Sequence, residues 1–172
     1  MPYPGTNVNM QAGWQTYILF EANLKCKIGG EMKTFFEELK IATKADFELV
    51  EITSKVKDVI AKSGIKNGFV IIFSPHTTGL VRISENEKGL MGDYKDFFGK
   101  VVPAKGEYRH NKTNVDDRPN AHAHLQSMLV NSSESVPLRD GKLLLGTWQT
   151  IFFVELDGAR PERKVTIEVM GE

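Results

Sequence analysis

The chain has 172 residues, 41% of them hydrophobic and 26% charged, enough for one domain with a buried core. Its 22 Lys and Arg balance 22 Asp and Glu, so it lacks the basic excess expected of a phosphate-backbone binder. The single cysteine, Cys26, excludes an intrachain disulfide scaffold and fits a reducing cytoplasm, and no apolar run approaches the roughly 20 residues of a membrane-spanning helix.

The first 31 residues read as an extension outside the main domain: rich in Pro, Gly and Asn, without the pattern of a secretory signal, and with one short strand at WQTYILF, residues 14–20. Residues 32–172 then read as a single domain. Leu39 and Ile41 alternate with Glu38 and Lys40, which predicts a half-buried strand, although the preceding TFFEELK also admits a helix. A turn at residues 44–46 leads to a strand over FELVEI, with Phe47 and Leu49 on one face. Thr53 or Ser54 can cap a helix whose apolar stripe is Val56, Val59 and Ile60 and whose stop is Gly64. GFVIIFS is a continuous apolar run between Gly68 and Pro75, predicting a central strand buried on both faces.

TGLVRIS returns as a strand, and residues 87–98 predict a helix with Leu90, Tyr94, Phe97 and Phe98 facing inward. A polar passage of about twenty residues, long for a loop without a function, precedes a helix from Asn120 to about Leu129. In that helix Leu125, Met128 and Leu129 fall at core spacing. The tail alternates strand and turn: LLLGTWQTIFFVEL, DGARPER, KVTIEVM. The sum is an α+β domain, mainly antiparallel sheet, with two or three helices.

Three of the four histidines lie between Tyr108 and His124, and the fourth, His76, ends a buried strand at SPHTTG. His76, His110 and His124 come from separate elements. Three such imidazoles can ligate a zinc ion with one position left open, bind phosphate, or move protons near neutral pH; solvated loop histidines are the plain alternative. His122, two residues from His124, points elsewhere on a helix but shares its face on a strand. Thr77 and Thr78 offer hydroxyls beside His76. Glu85 reads as a base, as an orienter of a histidine, or as an acid that starts a helix. Arg82 and Asn86 are polar neighbours at the same strand end. Trp148, in GTWQ with Gly146, Thr147 and Gln149, is core, interface or stacking platform. Glu155 and Asp157 alternate and share a face, Arg160 is either a phosphate clamp or a solvated turn residue, and Ser132–Ser135 reads as a loop. The chain has no P-loop, no GxGxxG and no nucleophile elbow.

In order along the chain, PHTTGLVRISENE, YRHN, NAHAHLQSML, VPLRDGKLLLGTWQTIFFVELDG and the closing strand resemble the YjbQ family over residues 32–172. That family is described as having secondary thiamine-phosphate synthase activity, which joins an aminopyrimidine methyl diphosphate to a thiazole phosphate and releases pyrophosphate. The resemblance implies an α+β fold with a β-sandwich-like core, a homotrimer, and a phosphorylated small-molecule substrate. It implies a cavity whose histidines match His76, His110 and His124, as catalytic residues or as ligands of a divalent zinc or magnesium ion, with no organic cofactor. Glu85 and Asn86 match the family's Asn-Glu-Asn segment, Gly146 to Gln149 its Gly-Thr-Trp-Gln signature, and Glu155 and Asp157 its acidic positions; Glu85 is expected as a further catalytic group, and Thr77, Thr78, Arg82, Asn86, Thr147, Trp148, Gln149 and Arg160 as substrate contacts. The chain departs from the family at Glu87-Lys88-Gly89, where Asp-Pro is usual, at Val130-Asn131 in place of Leu-Gly, and at Thr150 in place of Gly. A zinc-dependent hydrolase using the three histidines with Glu85 as base, and a non-catalytic trimeric binding protein, are the rival readings. Neither nucleic acid nor membrane is expected as a partner.

Overall fold

The structure, a computed structural model, describes residues 31–115 and 118–172. The expectations for residues 1–30, including the strand at 14–20 and Cys26, lie outside the described residues. Residues 31–172 form one compact unit. Its elements run β1 (Lys33–Ile41), β2 (Glu48–Glu51), α1 (Thr53–Ser63), β3 (Gly68–Phe73), β4 (Gly79–Ser84), α2 (Lys88–Val101), α3 (His110–Thr113), α4 (Ala121–Ser127), β5 (Ser133–Arg139), β6 (Lys142–Leu143), β7 (Thr150–Glu155) and β8 (Arg163–Gly171). All strand pairs are antiparallel. They build a five-stranded sheet in the order β1-β8-β3-β5-β6 and a three-stranded sheet in the order β2-β7-β4. The α+β, sandwich-like expectation holds, with four helices among the described residues, one of them a single turn.

The main core lies between the inner face of the large sheet, helix α1 and the inner face of the small sheet. Ile41, Val70, Ile72, Val136, Leu138, Val165, Ile167 and Val169 come from the first, Val56, Val59 and Ile60 from the second, and Val81, Ile151 and Phe153 from the third. TFFEELK is strand, not helix. Its period-two pattern turns Phe35 and Leu39 toward that core, and β8 supplies nine paired residues along it. Helix α1 ends as expected on Gly64, whose φ of 68° suits a residue without Cβ. Its start differs from expectation: no side chain caps it, because the Thr53 hydroxyl instead accepts the backbone N–H of Ile151 at 2.9 Å.

Three further expectations are corrected. GFVIIFS is central, between β8 and β5, but only Val70 and Ile72 are buried, whereas Phe69 and Phe73 remain 37% and 41% exposed on the outer face. The strand buried on both faces is β7: Ile151 and Phe153 enter the main core, while Phe152 and Val154 enter a second cluster with Leu80, Ala123 and Leu156. Helix α4 is shorter than expected and turned the other way. It buries Ala121, Ala123 and Gln126, leaving Leu125, Met128 and Leu129 exposed. Gln126 is held inside because its amide N–H groups reach the carbonyls of Phe98 and Val102 at 3.3 and 3.0 Å. On α2, Phe98 is buried and Leu90 and Tyr94 are half-buried, but Phe97 is exposed. At its start the Glu87 carboxylate accepts the N–H groups of Gly89 and Leu90 at 2.7 Å each, so the departure from Asp-Pro here builds an N-cap.

Candidate functional site

Inward parity puts two charges where only apolar groups are expected. Glu155 continues the phase of Ile151 and Phe153, and Arg163 begins the phase of Val165 and Ile167; both are buried. An unpaired buried charge is untenable. Here the two meet across the end of the sandwich: Arg163 Nε donates to Glu155 Oε2 at 2.7 Å and Nη2 donates to Oε1 at 2.5 Å. Thr43 Oγ1 and the backbone N–H groups of Leu156 and Asp157 complete the carboxylate's shell at 3.0, 3.1 and 3.0 Å. Gly79 makes the close packing possible, since a Cβ there would stand 2.6 Å from the Phe153 ring.

Above this pair lies a cavity of about 540 Å³, lined by His76, His110, His124 and Arg163 together with Thr77, Thr78, Thr113, Asn114, Arg118 and Asn120. The three histidines singled out by their sequence positions therefore share one cavity. His76 sits in the β3–β4 connection, half-buried, its ring edge-on to Phe153 with centroids 6.4 Å apart. Its Nε2 accepts the backbone N–H of Lys164 at 2.8 Å, which leaves the proton of the neutral ring on Nδ1. Burial first, and the Arg163 charge second, hold its pKa below the ordinary 6.5. His76 is thus a neutral N–H donor at pH 7.

His110 arrives on the one-turn helix α3, inside the passage that sequence alone reads as loop. Asn111 Oδ1 accepts the first N–H of α4, from Ala121, at 2.9 Å and so ties the two short helices together. The rings of His110 and His124 consequently stand edge to face, with centroids 4.8 Å apart. His122 faces a different cavity, as a helix dictates. If a metal ion is held here, His110 and His124 are the two neighbouring rings that would hold it. His76 does not fit as a third ligand in this arrangement, because its accepting nitrogen is already taken by Lys164 and the other carries a proton.

A second hub adjoins the first. Asp157 Oδ2 accepts from Arg118 and Arg160 at 2.9 Å each, from Asn120 Nδ2 at 3.1 Å and from Thr78 Oγ1 at 3.4 Å. Arg160 thereby lines a neighbouring cavity of about 300 Å³, not the histidine cavity itself. Arg82 lines a third, mostly apolar cavity of about 470 Å³ beside Tyr94 and Phe98, with Glu134 at 3.5 Å, so it stands apart from the histidines. Glu85, Asn86, Thr147, Trp148 and Gln149 are all exposed and line none of these three cavities; Gln149 Oε1 folds back onto the Gly146 N–H at 2.8 Å. Among the residues that sequence reasoning missed are Arg163, Arg118, Asn120 and Asn111. Arg163 had a legible signal, a cation in phase with Val165, Ile167 and Val169.

An α+β domain with a histidine- and arginine-lined cavity at the end of a two-sheet sandwich is the class that this fold and site define. The chain belongs to the YjbQ-like UPF0047 family, whose model matches residues 37–172. A UPF0047 protein of Methanothermobacter thermautotrophicus is 40% identical over 85% of this chain and 99% of its own length. YugU of Bacillus subtilis is 36% identical over 77% of this chain and 97% of its own. Among solved structures, a YbjQ-like protein of unknown function from Sulfolobus solfataricus matches with a TM-score of 0.77 and 43% identity, covering 83% of this chain and all of that one.

Proposed function

We propose that the histidine cavity binds the phosphate or diphosphate of a small-molecule substrate and that the chain is a transferase acting on it, with thiamine-phosphate synthase-like chemistry. The observation that carries this reading is the convergence of His76, His110, His124 and Arg163 on one cavity. Donors suited to an anion are the His76 Nδ1–H, the Arg163 guanidinium and the hydroxyl of Thr77; the Thr78 hydroxyl is already donated to Asp157. In the reaction, the neutral thiazole nitrogen attacks the methylene carbon of the aminopyrimidine methyl diphosphate. The C–O bond breaks, and its electron pair leaves with the diphosphate. The protein's work is to hold that diphosphate and meet its growing charge, with His76 and Arg163 as donors and His110 and His124 as the opposite wall. No general base is needed, so the exposed position of Glu85 is compatible with this reading.

A homotrimer is proposed as the working form. The outer face of the large sheet leaves Phe36 63% exposed, across β8 from the part-exposed Phe69 and Phe73, and Trp148 is 73% exposed, which supports a further packing surface. Residues 1–31 are proposed as an extension to the catalytic domain, and the cytoplasm as its compartment, in keeping with the single cysteine. No helix among the described residues is long and apolar enough to cross a membrane.

Calorimetry with inorganic pyrophosphate, together with a pyrophosphate-release assay on the two thiamine precursors, tests the proposal. Saturable binding that falls at least tenfold in His124→Ala, with turnover lost in the same variant, is the expected result. Stoichiometric zinc that disappears in His124→Ala, with no response to pyrophosphate, would instead favour the hydrolase reading, for which the adjacent His110 and His124 rings are the one supporting observation.

A further inference from the structure

Strand β4 turns Val81 and Ile83 toward the main core, so Arg82 and Ser84 stand on its opposite face, roughly 7 Å apart along the strand. Helix α2 packs on that side, but sheet and helix do not close on each other. The apolar cavity of about 470 Å³ between them shares no lining residue with the histidine cavity. Phe47, Leu49 and Val154 line it from the sheet side, and Leu90, Phe97 and Phe98 from the helix. Close packing leaves few gaps larger than a water molecule, whereas ligand pockets span about 300–1,000 Å³. Phe97 and Leu129 line this space yet remain 53% and 52% exposed, apolar surface that a bound molecule would cover.

The polar groups in the wall point to the charge of the occupant. Among the described residues Arg82 has one partner, Glu134 at 3.5 Å, well beyond the roughly 2.7–2.9 Å of a charge-assisted bond. The hydroxyls of Ser84 and Tyr94, both wall residues, bond each other at 2.5 Å. That bond uses one of their two hydrogens, and the other has no acceptor among the described residues. A guanidinium and a hydroxyl hydrogen are thus available as donors at one end of an apolar space. The other charged wall residue, Asp93, is exposed, so water screens it.

We infer that this cavity is a second ligand site, for a small aromatic carboxylate. The ring lies among Phe47, Phe97 and Phe98, and the carboxylate accepts from Arg82 and from the Ser84–Tyr94 pair. A single guanidinium matches a single negative charge. None of these residues belongs to the histidine cavity, so the inference stands apart from the reading given for that site.

Calorimetric titration of the full chain with 2-naphthoate, its neutral isostere 2-naphthamide and the cation 2-naphthylmethylammonium tests it. The acid should bind tightest, about tenfold or more ahead of the amide, as expected when charge-assisted bonds replace neutral ones. In Arg82→Met that advantage should fall to within about threefold, while the amide keeps its wild-type affinity within about twofold. Excess inorganic pyrophosphate should leave naphthoate binding unchanged. An acid within about twofold of the amide, an amine that binds tightest, or an advantage that survives in Arg82→Met overturns the carboxylate assignment. If none of the three probes binds, the cavity is not a ligand site. If pyrophosphate displaces naphthoate, the probe sits in the histidine cavity; the inference then fails while the phosphate reading of that cavity stands. The wild-type comparisons decide the matter even if the variant fails to fold.

Discussion

Replacing Arg163 by methionine isolates the buried ion pair. The two side chains are close in length and volume, so the change removes charge and hydrogen bonds more than packing. Glu155 is fully buried and has five protein donors, two of them from Arg163. Breaking a buried pair by removing one partner is worth about 3–5 kcal/mol, because the remaining charge is stranded. Three donors persist on Glu155, from Thr43, Leu156 and Asp157, so the expected loss is at the lower end, about 3 kcal/mol. In a domain of this size that corresponds to a fall in Tm of roughly 10 °C. Urea unfolding and thermal unfolding, each followed by circular dichroism, read the two quantities.

Adding Glu155→Gln to Arg163→Met removes the stranded charge while keeping an amide oxygen for the Thr43 hydroxyl and the two backbone N–H groups. The double variant should therefore regain more than half of the loss. A single variant within about 0.5 kcal/mol of wild type would refute the reasoning, as would a double variant no more stable than the single. The first result would mean that the pair is not desolvated as described. The second would mean that the loss comes from packing and not from charge.

His76 should titrate below 6.5 in the free protein, and bound pyrophosphate should move it upward; proton NMR of its ring measures both. Because its folded pKa is depressed, its contribution to stability is fully present above 6.5 and is lost as pH falls through the folded value. The pH dependence of unfolding across that window should flatten in His76→Gln. In Arg163→Met the same resonance should shift up, since the Arg163 charge is the second cause of the lowering after burial. Glu87→Ala should destabilise helix α2 at neutral pH, where the carboxylate caps Gly89 and Leu90. The Glu87 pKa is lowered by those two backbone N–H groups, so the difference from wild type should shrink as pH falls through that lowered value, read as the gap between two Tm curves.

The parts of the fold that were legible are those where period and end signals agree. Val56, Val59 and Ile60 followed by Gly64 define α1, and the alternation through Leu39 and Ile41 defines β1. Apolar spacing misled at α4, because Leu125, Met128 and Leu129 form a stripe, yet Ala121, Ala123 and Gln126 are the buried residues, with Ala123 packed among Leu80, Phe152, Val154 and Leu156. Small residues permit the close approach, and the Gln126 side chain secures it by binding the carbonyls of Phe98, in α2, and Val102, just beyond its end. No local pattern announces such a bond. GFVIIFS and TIFFVEL look equally apolar in sequence, and which of them is covered on both faces depends on where α2 and α4 dock. The histidine set was legible through rarity and placement, whereas Glu85 and the Gly-Thr-Trp-Gln group were legible only as motifs, and they lie away from the cavity in the single chain.

The geometry of the cavity depends on the register of β8. Arg163 pairs with Ile41 and faces inward; Lys164 faces outward, and only its backbone N–H reaches His76. A slip of one residue would exchange the two, placing a lysine beside Glu155 and removing the Lys164 N–H bond that fixes the His76 tautomer. The apolar phase of Val165, Ile167 and Val169 resists that slip along the whole strand, so the main core sets how Arg163 and His76 sit at the cavity. Two kinds of residue follow. Changes at Arg163 or Glu155 should alter stability and anion binding together, because one interaction serves both. Changes at His124, half-buried on a short helix at the rim, should alter binding while leaving unfolding nearly as it was. If His124→Ala proved as destabilising as Arg163→Met, that division between framework and ligand-facing wall would be wrong.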